Sequence, residues 1–179
     1  MKFVKTDGVS LIEVLVTTLI LGIGLLGVAA MQVTSVNSSQ EGYYRSQATE
    51  IAESVASRMR TTRMSIYDGI TTFADVIEDY AGEPYDCSAV KSCIGSDCND
   101  EELVNFDKWQ LCQVASRDLP GGEIYVRNVS GLRSRVAVSW DVAQARQDTG
   151  QRTILNNQCS SVGVPDNQGK DCVVLEIIP

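Results

Sequence analysis

The sequence contains no histidine among its 179 residues. That absence excludes Ser-His-Asp and Cys-His triads, the His-bearing zinc-hydrolase motifs and every histidine general base. Basic residues are also few. Fifteen Lys and Arg stand against 23 Asp and Glu, for a net charge of −8, and no contiguous basic stretch is present to release counterions from nucleic acid. Nucleic acid is therefore not an expected partner. No Gly-rich phosphate loop of the P-loop or dinucleotide type is found. Carboxylates abound, yet no spacing brings two of them together as a glycosidase requires. Lys91, Lys108 and Lys170 lie near serines or acids, the makings of a Ser-Lys pair, but such neighbours are expected by chance. The expectation is a protein without catalytic residues and without a cofactor. Aromatic residues make up only 6%, so the core is modest, although an apolar fraction of 44% is ordinary for a globular chain.

Proline is scarce as well, with none between Val9 and Met64, and this segment carries the strongest signal. From Val14 to Met31 the chain has no charge, Pro, Asn or Gln, about the shortest run that spans hydrocarbon as a helix. A secretory signal has a shorter apolar core and a small-x-small cleavage site, which Ala29-Ala30 imitates only weakly. Lys2 and Lys5 precede the span and Arg45 is the first basic residue after it, which places the N-terminus in the cytoplasm and the rest outside. Six cysteines, an even number, agree with an oxidising compartment.

Glu13 interrupts this picture. A carboxylate in a bilayer costs up to roughly 2.5 to 3.5 kcal/mol on insertion scales and normally has a partner or a function. No Lys or Arg lies on the following turns to supply one.

The stretch Gly8-Val9-Ser10-Leu11-Ile12-Glu13-Val14-Leu15-Val16 resembles the class III signal of type IV pilins and type II secretion pseudopilins. The resemblance implies that a prepilin peptidase cuts between Gly8 and Val9 and methylates Val9. It also implies that Glu13 meets the N-terminal amine of a neighbouring subunit during assembly. A carboxylate and an ammonium desolvated together cost less than the two buried apart. Two positions depart from the family pattern: Val9 stands where Phe is usual, and Asp7 where a basic residue is common. The rival reading is an uncleaved signal anchor with a chance Glu. The pilin resemblance implies that residues 1–8 are a cleaved leader, 9–32 the transmembrane and assembly half of one long helix, and 33–179 a head that includes the helix's amphipathic half.

Beyond the span, Tyr44, Ala48, Ile51, Val55 and Met59 recur at three- and four-residue spacing, flanked by Ala52 and Ala56. This pattern predicts a buried helical stripe, with Glu50, Glu53, Arg58 and Arg60 elsewhere on the wheel and Glu41 and Arg45 at i,i+4 order. Gly22, Gly24 and Gly27 in the span permit close helix approach or local melting, although membrane helices are often Gly-rich for no such reason. A short helix over 71–80 is expected to turn Phe73, Val76, Ile77 and Tyr80 inward, ending at Gly82 and Pro84. Asn99 and Glu102 form a capping pair for a helix reaching Leu119, with Leu103, Phe106, Trp109, Cys112 and Ala115 expected inward. Pro120-Gly121-Gly122 stops it.

From Glu123 the period changes to alternation. Ile124 and Val126, then Val136, Val138 and Trp140, define a hairpin with its turn over Asn128–Leu132. A polar, Gln/Asn-rich segment over 143–171 precedes a terminal strand from Cys172 to Ile178. The fold class is α+β, a long helix packed on a small antiparallel sheet, which is the layout of the pilin fold. Within that family, Trp109, the Leu-Pro-Gly-Gly of 119–122, the strand ending at Trp140 and the Cys-flanked last strand resemble minor pilins of the PilV type.

Six cysteines allow 15 pairings. Proximity and topology favour Cys87 with Cys112, Cys93 with Cys98, and Cys159 with Cys172. A four-cysteine zinc site normally shows C-x2-C pairs, which this spacing lacks. Asp97, Asp100, Glu101 and Glu102, like Asp166 and Asp171, do not follow the ligand order of an EF-hand loop. No metal is expected.

The resemblance implies a minor pilin that primes a type IV pilus and sits near its tip. Its partners would be other minor pilins, the major pilin, the prepilin peptidase, the inner-membrane assembly platform and a tip adhesin. It would lie in the bacterial inner membrane before assembly and on the cell surface after it. A minor pseudopilin of a type II secretion system is the alternative within this mechanism. A membrane-tethered periplasmic enzyme or binding protein is the alternative outside it.

Overall fold

The computed structural model describes residue 8 and residues 10–61, 72–82, 84–130, 133–141, 158–165 and 169–178. The expected leader before Gly8, Val9, residues 131 and 132 of the expected turn, most of the polar 143–171 segment and Asp166 lie outside the described residues, as does the side chain of Phe73; the first three residues of that expected turn, Asn128 to Ser130, belong instead to a strand. The chain divides into two compact units, one reaching Ser39 and the other beginning at Gln40.

The first unit is helical. Helix α1 runs Leu11–Thr61, and its segment up to Ser39 exposes an apolar surface that includes Leu11, Ile12, Leu26 and Met31. Hydroxyls in this segment are satisfied locally: Thr17 and Thr18 both donate to the Val14 carbonyl, at 2.9 and 3.0 Å. The side chains therefore present few free polar groups, as a hydrocarbon environment demands. Among the described residues, α1 is the one helix long and apolar enough to cross a membrane.

The second unit begins with the rest of α1, whose Ala48, Ile51, Ala52, Val55, Ala56 and Met59 are buried as their spacing predicts, with Tyr44 packed against them. Helix α2, Phe73–Tyr80, starts at a reciprocal cap: Thr72 donates its backbone N–H to Asp75 Oδ2 at 2.8 Å, and its hydroxyl accepts from the Asp75 N–H. Val76, Ile77 and Tyr80 point into the core. Helix α3, Asp100–Asp118, is capped the same way by Asn99 and Glu102, at 2.8 and 3.1 Å.

The buried row of α3 differs from the sequence expectation. Leu103 is 42% exposed, and the core is met by Val104, Leu111, Cys112 and Ala115. Residues seven and eleven apart share a helix face, so Val104 lines up with Leu111 and Ala115, and Leu103 falls one step outside. Phe106 is buried, but Trp109 is only half-buried and stacks on it at 5.7 Å between ring centroids.

After α3 the chain reverses within three residues. Gly121 has φ +59°, and a Cβ on Gly122 would lie 2.2 Å from the Ala115 carbonyl oxygen, so both positions call for glycine. The Pro120 carbonyl accepts from Asp141 N–H at 2.7 Å and ties the turn to the sheet.

Strands β1 (Glu123–Ser130), β2 (Arg133–Asp141) and β3 (Lys170–Ile177) form an antiparallel sheet in that order, with Val126 opposite Val136 and Ala137 opposite Val174. One face, with Ile124, Val126, Val136, Val138, Trp140 and Ile177, packs on the α1 stripe and the other helices. The opposite face is also covered. Tyr125, Ala137 and Cys172 lie under Cys159, Val162 and Val164, from a loop with a 3-10 turn at Ser160–Val162. The molecule is thus an α+β fold of the pilin layout, a long N-terminal helix packed on a three-stranded antiparallel sheet.

Three disulfides join Cys87 to Cys112, Cys93 to Cys98 and Cys159 to Cys172. The first holds the chain after α2 on α3, the second closes a small loop before α3, and the third fixes the covering loop to β3.

Candidate assembly site

At the start of α1 the Ser10 carbonyl accepts the N–H groups of Glu13 and Val14, at 3.0 and 3.3 Å. Glu13 therefore lies in the first helical turn, where the unsatisfied N–H dipoles favour an anion. Its side chain is exposed and is surrounded in sequence by the exposed apolar residues Leu11, Ile12, Val14 and Leu15. Among the described residues Glu13 forms no ion pair. Gly8 is described and exposed, whereas Val9 is outside the described residues. A lone carboxylate on an apolar helix is costly in a nonpolar environment unless it is paired or neutralised.

The second unit contains polar groups that sequence spacing does not reveal. Asp107 on α3 pairs with Arg58 on α1 and accepts the Tyr80 hydroxyl at 2.8 Å, while Arg58 also donates to Gln110 Oε1 at 2.9 Å. Tyr85 donates its buried hydroxyl to the Tyr80 carbonyl at 3.0 Å. Burial, reinforced by Tyr80 and Asp107, pushes the Tyr85 phenol well above its ordinary range, so it stays neutral. The Lys108 ammonium lies 5.6 Å from the centre of the Tyr85 ring. Partial burial lowers the Lys108 pKa, and Asp79 opposes that shift.

Two further ion pairs flank the sheet. Buried Asp171 accepts from Arg45 at 3.3 Å and from its neighbour Cys172 N–H at 2.8 Å. Glu123 pairs with the largely buried Lys170 and accepts the Tyr125 hydroxyl at 2.6 Å. Glu41 and Arg45 have the i,i+4 order expected of a helix pair, but Arg45 is also drawn to the distant Asp171. These partners lie far apart in sequence, and the only available signal was a charge adjoining a buried stripe.

Among the described residues no group of His, Cys, Asp and Glu is placed to hold a metal ion. The six cysteines are consumed in disulfides. The arrangement offers an apolar helix surface for a membrane or for other helices, with one carboxylate on it, and a cross-linked head.

Residues 30–109 match the family model Tt1218-like, described as type IV pilin Tt1218. The match spans less than half of the chain and supports a type IV pilin family, a family of structural subunits. No curated protein and no solved structure matches the chain.

Proposed function

We propose that this chain is a minor pilin of the PilV type, cut by a prepilin peptidase between Gly8 and Val9 and methylated on Val9. The observation that carries the reading is the type IV pilin match over 30–109, which begins within α1, the helix whose exposed apolar first part bears Glu13. Glu13 pairs with the N-terminal amine of a neighbouring subunit, replacing two separate desolvation costs with one paired burial. Before assembly the N-terminus is cytoplasmic, residues 9–32 lie in the inner membrane and the head from residue 33 is periplasmic. After assembly the subunit primes the fibre with other minor pilins, sits near the tip and contacts the major pilin and an adhesin.

Surface pilin tests the priming role. Cells lacking this chain are expected to lose sheared major pilin while keeping the cellular pool, and a complementing copy restores it. Unchanged surface pilin would contradict the priming role and favour an accessory subunit or a secretion pseudopilin.

A further inference from the structure

Strand β1 is an edge of the sheet, and only part of that edge is covered. The chain after α2 runs along it, with Gly82 N–H donating to the Val126 carbonyl at 3.0 Å and Tyr85 N–H to the Ile124 carbonyl at 3.1 Å. Backbone groups of alternate residues point the same way as far as Asn128, which is still in register with Ser134, so it also directs its N–H and C=O outward; the pairing of β1 with β2 becomes irregular just beyond it, between Asn128 and Ser130. No described residue continues the pairing there, because the covering chain turns into α2 at Tyr80. A cavity of about 510 Å³ opens beside this stretch, lined by Ala81 and Pro84, by Val126 and Asn128, and by Val162 and Pro165. Among the described residues its one charged lining residue is Arg127, which donates one N–H to the Ser161 carbonyl at 3.2 Å. Among the described residues nothing else accepts from this guanidinium, and its other donors suit an anion.

We propose that this groove takes an extended peptide segment of a partner protein, apolar at alternate positions and bearing a carboxylate opposite Arg127. The segment pairs through its backbone with Asn128, continuing the sheet edge, and the carboxylate sets its register. This surface lies in the head and is independent of the assembly role given to Glu13.

The test uses the full chain in detergent micelles and fluorescein-labelled peptides read by anisotropy. The probes are Thr-Val-Thr-Val-Thr with a free C-terminal carboxylate, the same peptide amidated, and an amidated version with Asp replacing the central Thr. Binding is expected for at least one of the two acid-bearing probes, and which of them binds distinguishes a chain end from an internal Asp. The neutral peptide is expected to bind about tenfold more weakly, as is the acid to Arg127→Gln. Asn128→Pro removes only an outward N–H, which an edge strand tolerates, and is expected to abolish binding with the thermal melt unchanged. Should that variant fail to fold, a probe N-methylated at alternate residues tests the same backbone pairing on the unmodified chain. Absence of binding by every probe, binding that survives backbone methylation, or binding indifferent to Asn128→Pro in a folded chain would overturn the proposal.

Discussion

Arg58 on α1 and Asp107 on α3 form an ion pair, and the same carboxylate accepts the hydroxyl of Tyr80 at the end of α2. Three helices thus meet at one group that is 18% exposed. Asp107→Asn keeps the shape and removes the charge, leaving Arg58 with Gln110. A loss of about 1 to 3 kcal/mol of stability is expected. Urea unfolding checks this, with a lowered midpoint and an unchanged slope as the expected result.

The disulfides should rank by the length of chain they close. The separations are 25 residues for Cys87–Cys112, 13 for Cys159–Cys172 and 5 for Cys93–Cys98. Chain-entropy reasoning gives roughly 3.5, 3 and 2 kcal/mol in that order. Paired Cys→Ala variants compared by denaturant midpoint test the order. Removing Cys159–Cys172 should also free the loop over Ala137 and Val174, read as faster amide exchange in β3 than in β1.

The turn after α3 gives a sharper contrast. Gly122→Ala drives a methyl into the Ala115 carbonyl and should cost about 1 to 3 kcal/mol. Gly121→Ala meets only Asp141 side-chain atoms at 3.2 Å and beyond, but must hold φ +59°, at a cost of about 1 to 2 kcal/mol. Restoring Gly at 122 alone in the double variant should recover the larger share, measured by thermal melting.

Acid should loosen the start of α3. The Lys91 ammonium first, and the Asn99 N–H second, hold the Glu102 carboxyl below its ordinary value of 4.5. A depressed folded-state pKa contributes stability that is present above 4.5 and is lost as pH falls through the lower folded value. Glu102→Gln should remove that pH dependence while keeping a cap to the Asn99 N–H. The readout is the difference in melting temperature between pH 6 and pH 3, smaller in the variant.

These expectations rest on features of unequal visibility in the sequence. The α1 stripe of Ala48, Ile51, Val55 and Met59 was legible because helical periodicity is local. The caps at Asn99–Glu102 and the stop at Gly121 and Gly122 were legible for the same reason. Of the inward row expected on α3, Phe106, Cys112 and Ala115 are buried, while Val104 and Leu111 take the places expected of Leu103 and Trp109, since Leu103 and Val104 are equally apolar and only packing separates them. The second face of the sheet was hidden in a polar segment, where Val162 and Val164 are too few to make a period. Arg58–Asp107 and Arg45–Asp171 join residues 49 and 126 positions apart, beyond any local pattern. At the candidate site, the conflict between Glu13 and its apolar surroundings was already plain in the sequence.

The incorporation of Glu13→Ala into sheared fibres, measured beside its N-terminal mass, tests the filament account most directly. The account predicts a chain that begins at methylated Val9, remains in the membrane and is lost from the fibre fraction. A variant found in fibres at the wild-type level would contradict the role of Glu13 in assembly.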